Sequence, residues 1–150
     1  RYQYRVIAPA AWREKVIGKD WAELAGLPWV ATSQQSAHRR LIDEIFRPTG
    51  SLPKRVAFTD QEEAMIDFVE SGMCLSLVRD SVLDRITRKR DFVIADKVAV
   101  TCDLSFACLA SRRQEPLIAD AFTAMQAACD LQPVHFTPLE TARSRKSARR

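Results

Sequence analysis

Three places in the chain carry side chains able to grip a small ligand. The stretch ATSQQSAHR brings together Thr32, Ser33, Gln34 and Ser36, and FTDQ brings together Phe58, Thr59 and Asp60. Arg79 closes the apolar run MCLSLV. Hydroxyls, amides and a guanidinium suit the hydrogen-bonded capture of a polar or anionic molecule. Covalent chemistry is less well served. His38 and His135 lie far apart, and although sequence distance alone leaves a Ser/His/Asp triad open, no G-x-S-x-G nucleophile motif occurs. With 4 glycines in all there is no Gly-rich phosphate loop. His38 has no metal-ligating neighbours in sequence, and Cys74, Cys102, Cys108 and Cys129 lack the close pairing of a zinc site. We therefore assign no catalytic residue, metal or cofactor, and an enzyme is the minority reading.

The four cysteines sit among apolar neighbours, as buried thiols do, which fits a reducing cytoplasm. The chain's 150 residues suit one domain with a real core. No apolar run approaches the roughly 18 residues of a membrane span, and the start RYQYRVIAPAAW lacks the apolar segment of a secretory leader. The net charge of +4 does not describe a DNA-binding surface. Arg143, Arg145, Lys146, Arg149 and Arg150 fall in the last ten residues; removing these 5 from 23 basic residues leaves 18 against 19 acidic. The basic excess is confined to a tail over residues 131–150, expected to be disordered and solvated, with non-specific phosphate contact as the alternative.

These residues need elements to position them. Apolar spacing predicts helices over Asp20–Ala25, Ser36–Phe46, Asp60–Ser71, Asp80–Ile86 and Pro116–Cys129. In the third of these, Thr59 with Glu62 or Asp60 with Glu63 has capping-box spacing, Ala64, Met65, Phe68 and Val69 form an apolar stripe, and Gly72 supplies the helix stop. Short runs at Tyr4–Ala8, Trp29–Ala31, Arg55–Phe58, Met73–Val78, Phe92–Ile94 with Lys97–Val100, and Leu104–Ala110 read as strands. Their alternation with helices predicts an α/β fold built on parallel strands. In such sheets ligands settle beyond the carboxyl ends of the strands, at helix N-termini. ATSQQSAHR and FTDQ fall at two such places. The competing reading of Thr32, Ser33, Ser36, Thr59 and Asp60 is that they merely cap helices.

The run DFVESGMCLSLVRD resembles the effector-binding domain of LysR-type transcriptional regulators, in which a helix ending in an "lVxxG" turn feeds a buried strand. YRVIAP resembles that family's crossing strand into the second subdomain, and WAELAGLPWVATS its "dL..lPwI" segment. LSFACLASRRQEPLIADAFTAMQAA resembles its closing strand and helix. The match runs from about Tyr4 to Ala128, and the shared order of weak motifs gives it specificity.

The resemblance implies a periplasmic-binding-protein type II-like two-subdomain fold. Residues 4–101 would form the second subdomain, and residues 102–130 would return to the first. Both polar loops would line the inter-subdomain cleft where such regulators bind small effectors. At Arg79 most family members carry Pro, and Cys74 stands where a second Gly is usual; a subset carries Arg-Glu where this chain has Arg79-Asp80. An Arg there can hold a carboxylate or other anion by two prongs, or pair with Asp80, Asp84 or another acid. The implied function is effector sensing in a cytoplasmic regulator that assembles as a dimer or tetramer. DNA would be bound only through an N-terminal helix-turn-helix domain not contained in these residues. The alternative is an extracytoplasmic solute-binding protein of the same fold.

Overall fold

Alternation along the central strands decides the layering. In β1 (Tyr2–Pro9), Val6 and Ala8 face one side and Ile7 the other, all without solvent exposure. A sheet apolar on both faces must be covered on both. The computed structural model, which describes residues 1–129 apart from the Cys129 side chain, satisfies this with helices on each side. The basic tail and His135 lie outside the described residues.

The remaining strands are β2 (Pro28–Ala31), β3 (Lys54–Phe58), β4 (Ser76–Arg79) and β5 (Phe92–Cys102). β4, β1 and β5 form one ladder and β2 pairs with β3 in another. A parallel bridge between Trp29 and Leu75 joins them: Leu75 N–H donates to the Pro28 carbonyl at 2.7 Å, and Val30 N–H to the Leu75 carbonyl at 3.0 Å. The spatial order is thus β3, β2, β4, β1, β5. β2 and β3 are parallel, as expected of strands linked by a crossover helix, but β1 runs antiparallel to both its neighbours. The parallel-strand expectation therefore holds for one half of the sheet, and the sheet as a whole is mixed.

Six α-helices are described: α1 (Arg13–Val16), α2 (Trp21–Ala25), α3 (Ala37–Phe46), α4 (Glu62–Glu70), α5 (Asp80–Ile86) and α6 (Pro116–Cys129). One core packs α1, α2 and α3 against the sheet through Val16, Leu24, Ile42 and Phe46. There the Trp29 indole N–H donates to the Leu24 carbonyl at 2.8 Å and its ring meets Phe46 edge-on at 5.4 Å. The opposite core packs α4 and α5 through Ile66, Val69, Val82 and Leu83. Gly72, at φ +83°, ends α4: its N–H donates to the Val69 carbonyl and the Met73 N–H to the Phe68 carbonyl, a Schellman motif.

Several expected boundaries are corrected. The capping boxes at Thr59 and Asp60 do not form; α4 starts at Glu62, its N-cap Gln61 makes no side-chain cap bond, and the Asp60 carboxylate is engaged elsewhere. β4 is four residues long because its predicted first half, at Cys74 and Leu75, turns to reach β2 instead of β1. Phe92–Cys102 is one strand carrying a bulge where a break was expected. Arg5 pairs with Ala99 but Ile7 with Ile94, so Asp96 and Lys97 bow out to solvent while Ala95 and Val98 stay buried. Leu104–Ala110 forms no strand: no ladder partner exists for it among the described residues, and Leu104 and Leu109 are exposed.

The chain divides into two units, Arg1–Leu104 and Ser105–Arg150. The described part of the second holds α6 and, inside the unit, Phe106 meeting Phe122 at 4.6 Å and Arg112 gripping both oxygens of Glu115 at 2.8 Å.

Candidate functional site

Because β2 and β3 are parallel neighbours, their carboxyl ends release the chain side by side, and the two polar loops start together. The Thr59 N–H donates to the Ala31 carbonyl at 3.0 Å, and the Asp60 carboxylate accepts the Ser33 N–H at 2.9 Å. Thr32, buried at 3 % exposure, hydrogen-bonds the Ser36 hydroxyl, which also accepts the Arg39 N–H as N-cap of α3. Thr59 Oγ1 accepts the Gln61 N–H at 3.2 Å. Thr32, Ser33, Ser36, Thr59 and Asp60 are thus one interlocked cluster. Gln34 and Phe58 lie at its exposed rim, the latter 69 % exposed.

The two helix ends beside this cluster differ electrostatically. The first turn of α3 contains no acid of its own, although Asp60 and Glu62 act on it from the neighbouring loop and helix and Ser36 caps its Arg39 N–H. The first turn of α4 carries Glu62 and Glu63, which supply that end with negative charge from within the chain. Of the two, the α3 end is the one without an acid in its own first turn.

Arg79 stands at the carboxyl end of β4 and is the N-cap residue of α5. Its partner is neither Asp80 nor Asp84 but Glu62: Nε to Oε1 at 3.3 Å and Nη2 to Oε2 at 2.7 Å. The carboxylate raises the Arg79 pKa above its ordinary value, first through these hydrogen bonds and then through charge. The rim thus ends in a two-pronged ion pair with both partners partly exposed.

His38, weighed from sequence only as a catalytic or metal-ligating group, is instead packed against the sheet. Nε2 lies 2.9 Å from the Leu77 carbonyl, and the ring meets Tyr4 edge-on at 6.0 Å. With Nε2–H donating, Nδ1 is a bare acceptor; it is buried and finds no partner among the described residues. Burial lowers the His38 pKa, against opposing effects of the Leu77 carbonyl, Glu62 and Asp60. The available clue was periodicity: His38 opens the stripe continued by Leu41, Ile42 and Ile45, so it had to face the sheet.

No cysteine with a described side chain is paired in a disulfide. Cys74 is fully buried and burial pushes its thiol up to about 11; Cys102 and Cys108 are free and only half-buried, not buried as expected. Among the described residues no group of His, Cys, Asp and Glu could hold a metal ion, and no helix is long and apolar enough to cross a membrane.

A two-layered helical covering, paired polar loops at the carboxyl ends of β2 and β3, and the β1–β5 ladder together define a recognisable domain. The family model of the LysR substrate binding domain matches residues 1–130. The chain belongs to this family. Its fold is accordingly the periplasmic-binding-protein-like α/β type. Among solved structures, the Synechocystis PCC6803 CcmR regulatory domain in complex with 2-PG is similar over 89 % of this chain and 65 % of its own, at 15 % identity and TM-score 0.65. The effector binding domain of QuiR in complex with shikimate is similar over 62 % and 44 %, at 21 % identity and TM-score 0.53. The cofactor-binding domain of the Cbl transcriptional regulator is similar over 64 % and 42 %, at 16 % identity and TM-score 0.55. The chain thus covers less than two thirds of each of these chains. No curated protein sequence matches it.

Proposed function

We propose that this LysR-family domain senses a small anionic effector, through the face bearing Thr32, Ser33, Gln34, Ser36, Phe58, Thr59, Asp60 and Arg79. The observation that carries the reading is the coupling of the two loops through Ser33 and Asp60 at the carboxyl ends of adjacent parallel strands. Ligands settle at that position in α/β sheets. The α3 terminus beside it has no acid of its own to neutralise it. The pre-formed hydrogen bonds fix the loops before a ligand arrives, which lowers the ordering cost of binding.

On this reading residues 4–101 are the second subdomain and residues 102–130 belong with the first. The ligand selects one relative arrangement of the subdomains, and a dimer or tetramer passes that difference to helix-turn-helix domains on DNA. The protein works in the cytoplasm and does no catalysis. The test is an NMR titration of the full chain with a panel of small organic acids. Saturable shifts centred on residues 32–36 and 58–60 are expected. Saturable binding confined to another surface, or no binding by any acid, overturns the proposal.

A further inference from the structure

Arg79 is already occupied. The Glu62 carboxylate puts one oxygen on Nε and the other on Nη2, the same two-pronged contact that a ligand carboxylate would make with a guanidinium. We infer that Glu62 holds the ligand's place on Arg79, so that the effector is a carboxylic acid that must displace it. The inference rests on the proposal above that this face binds the effector.

Three features suit Glu62 to the part of an internal competitor. First, the pair is within reach of a solute, with side-chain exposures of 46 % for Arg79 and 31 % for Glu62. A pair so exposed is weak enough to exchange. Second, Glu62 is the first residue of α4, so its charge remains at the favourable end of the helix after it releases Arg79. Third, Glu62 lines a depression of about 310 Å³ between α4 and α5 together with Glu63, Arg85 and Arg90; Arg90 is engaged by Asp67 and Glu70, which leaves Arg85 as the cation beside a released carboxylate. Arg79 is not cut off from other ligand contacts either. Its cross-strand neighbour is Tyr4, whose ring meets that of Tyr2 at 5.6 Å. A carboxylate borne on a flat ring would gain contact there that acetate would not.

Titration of the full chain with benzoate and with acetate tests this, comparing wild type with Glu62→Gln, Arg79→Gln and the double variant. Glu62→Gln is expected to bind benzoate roughly two- to fivefold more tightly, the range for releasing a part-exposed ion pair. Arg79→Gln should abolish that gain, and the gain for acetate should start from weaker binding. Arg79→Lys keeps the charge but one prong only, and should show a reduced gain in a chain that still folds. Unchanged affinity in Glu62→Gln, while Arg79→Gln weakens binding, overturns the competitor role and leaves the binding face standing. Benzoate shifts at residues 32–36 that ignore both substitutions do the same. If Glu62→Gln binds neither acid the inference also falls, and the wider acid panel then decides separately whether the face binds ligand at all.

Discussion

The two units of the chain treat their apolar residues in opposite ways. In Arg1–Leu104, Val6, Ile7, Leu75 and Val78 have no exposure, and helices cover the sheet on both faces. In Ser105–Arg150 none of the described side chains is buried, although α6 carries Ile118, Ala121, Phe122 and Met125 on one face. Amphipathic spacing alone does not make a core; it makes one side of a core, and a second surface must supply the rest. The first unit contains both sides. If residues 102–130 belong with the first subdomain, as proposed, that subdomain is what would cover the apolar face of α6.

The sharpest way to break this contrast is to empty one ring position in each unit. Phe46, at 1 % exposure between Trp21 and Trp29, should cost about 3–5 kcal/mol when replaced by Ala, because a cavity is added to the lost transfer energy. Phe122→Ala should cost less than about 1 kcal/mol in the same chain, in keeping with a half-exposed site. Urea unfolding of both variants measures the difference. Equal losses would mean that α6 is buried in solution as firmly as α3.

What the sequence made legible divides differently, between local signals and long-range pairings. Local signals worked: Gly72 ends α4, Ser36 caps α3, and the two polar loops do lie at the carboxyl ends of β2 and β3. Long-range pairings were not legible. Glu62 and Arg79 are 17 residues apart and each had nearer charged candidates, so no local rule selects the pair. The antiparallel course of β1 depends on two partners far downstream, the nearest pair being Ile7 with Ser76. Asp60 had capping-box spacing, yet its carboxylate serves the backbone of another loop, a competition that only tertiary geometry decides. Leu104–Ala110 shows the converse error, in which an apolar run has strand composition but no neighbouring strand among the described residues.

A smaller effect sharpens the contrast at the level of single hydroxyls. Ser36→Ala removes the acceptor for the Arg39 N–H and the partner of the buried Thr32 hydroxyl. The cap alone is worth about 1 kcal/mol, and an unpaired Thr32 adds to the loss. Thr123→Ala in α6 removes only an exposed bond to the Ala119 carbonyl and should change stability by no more than about 0.5 kcal/mol. Unfolding curves for the two variants test this. Thr32→Val, which removes the buried hydroxyl and leaves the cap, separates the two parts: a loss as large as that of Ser36→Ala makes the Thr32 contact the larger part, and a small loss makes it the cap bond.

The smallest expected effect is a pH dependence housed entirely in the first unit. His38 is held neutral by burial, with Nε2 on the Leu77 carbonyl, the Tyr4 ring against it and only the charges of Glu62 and Asp60 in opposition. Its pKa is lowered from the ordinary 6.5, so the unfolded chain takes up a proton at that position before the folded chain does. Stability therefore rises with pH between the folded and unfolded values. This contribution is complete above the ordinary histidine value and is lost as pH falls below it towards the folded one. The carboxylates of Glu23, Asp96, Asp103 and Glu115 have pKa values lowered from an ordinary range that is already below that of histidine. Urea midpoints for wild type and His38→Gln, compared from pH 7.5 to pH 5.5, isolate the effect, since Gln can still donate to the Leu77 carbonyl without titrating. The wild type should lose stability relative to His38→Gln as the pH falls. Parallel curves would show that the ring is not held neutral, and a relative gain would show that Glu62 and Asp60 outweigh burial.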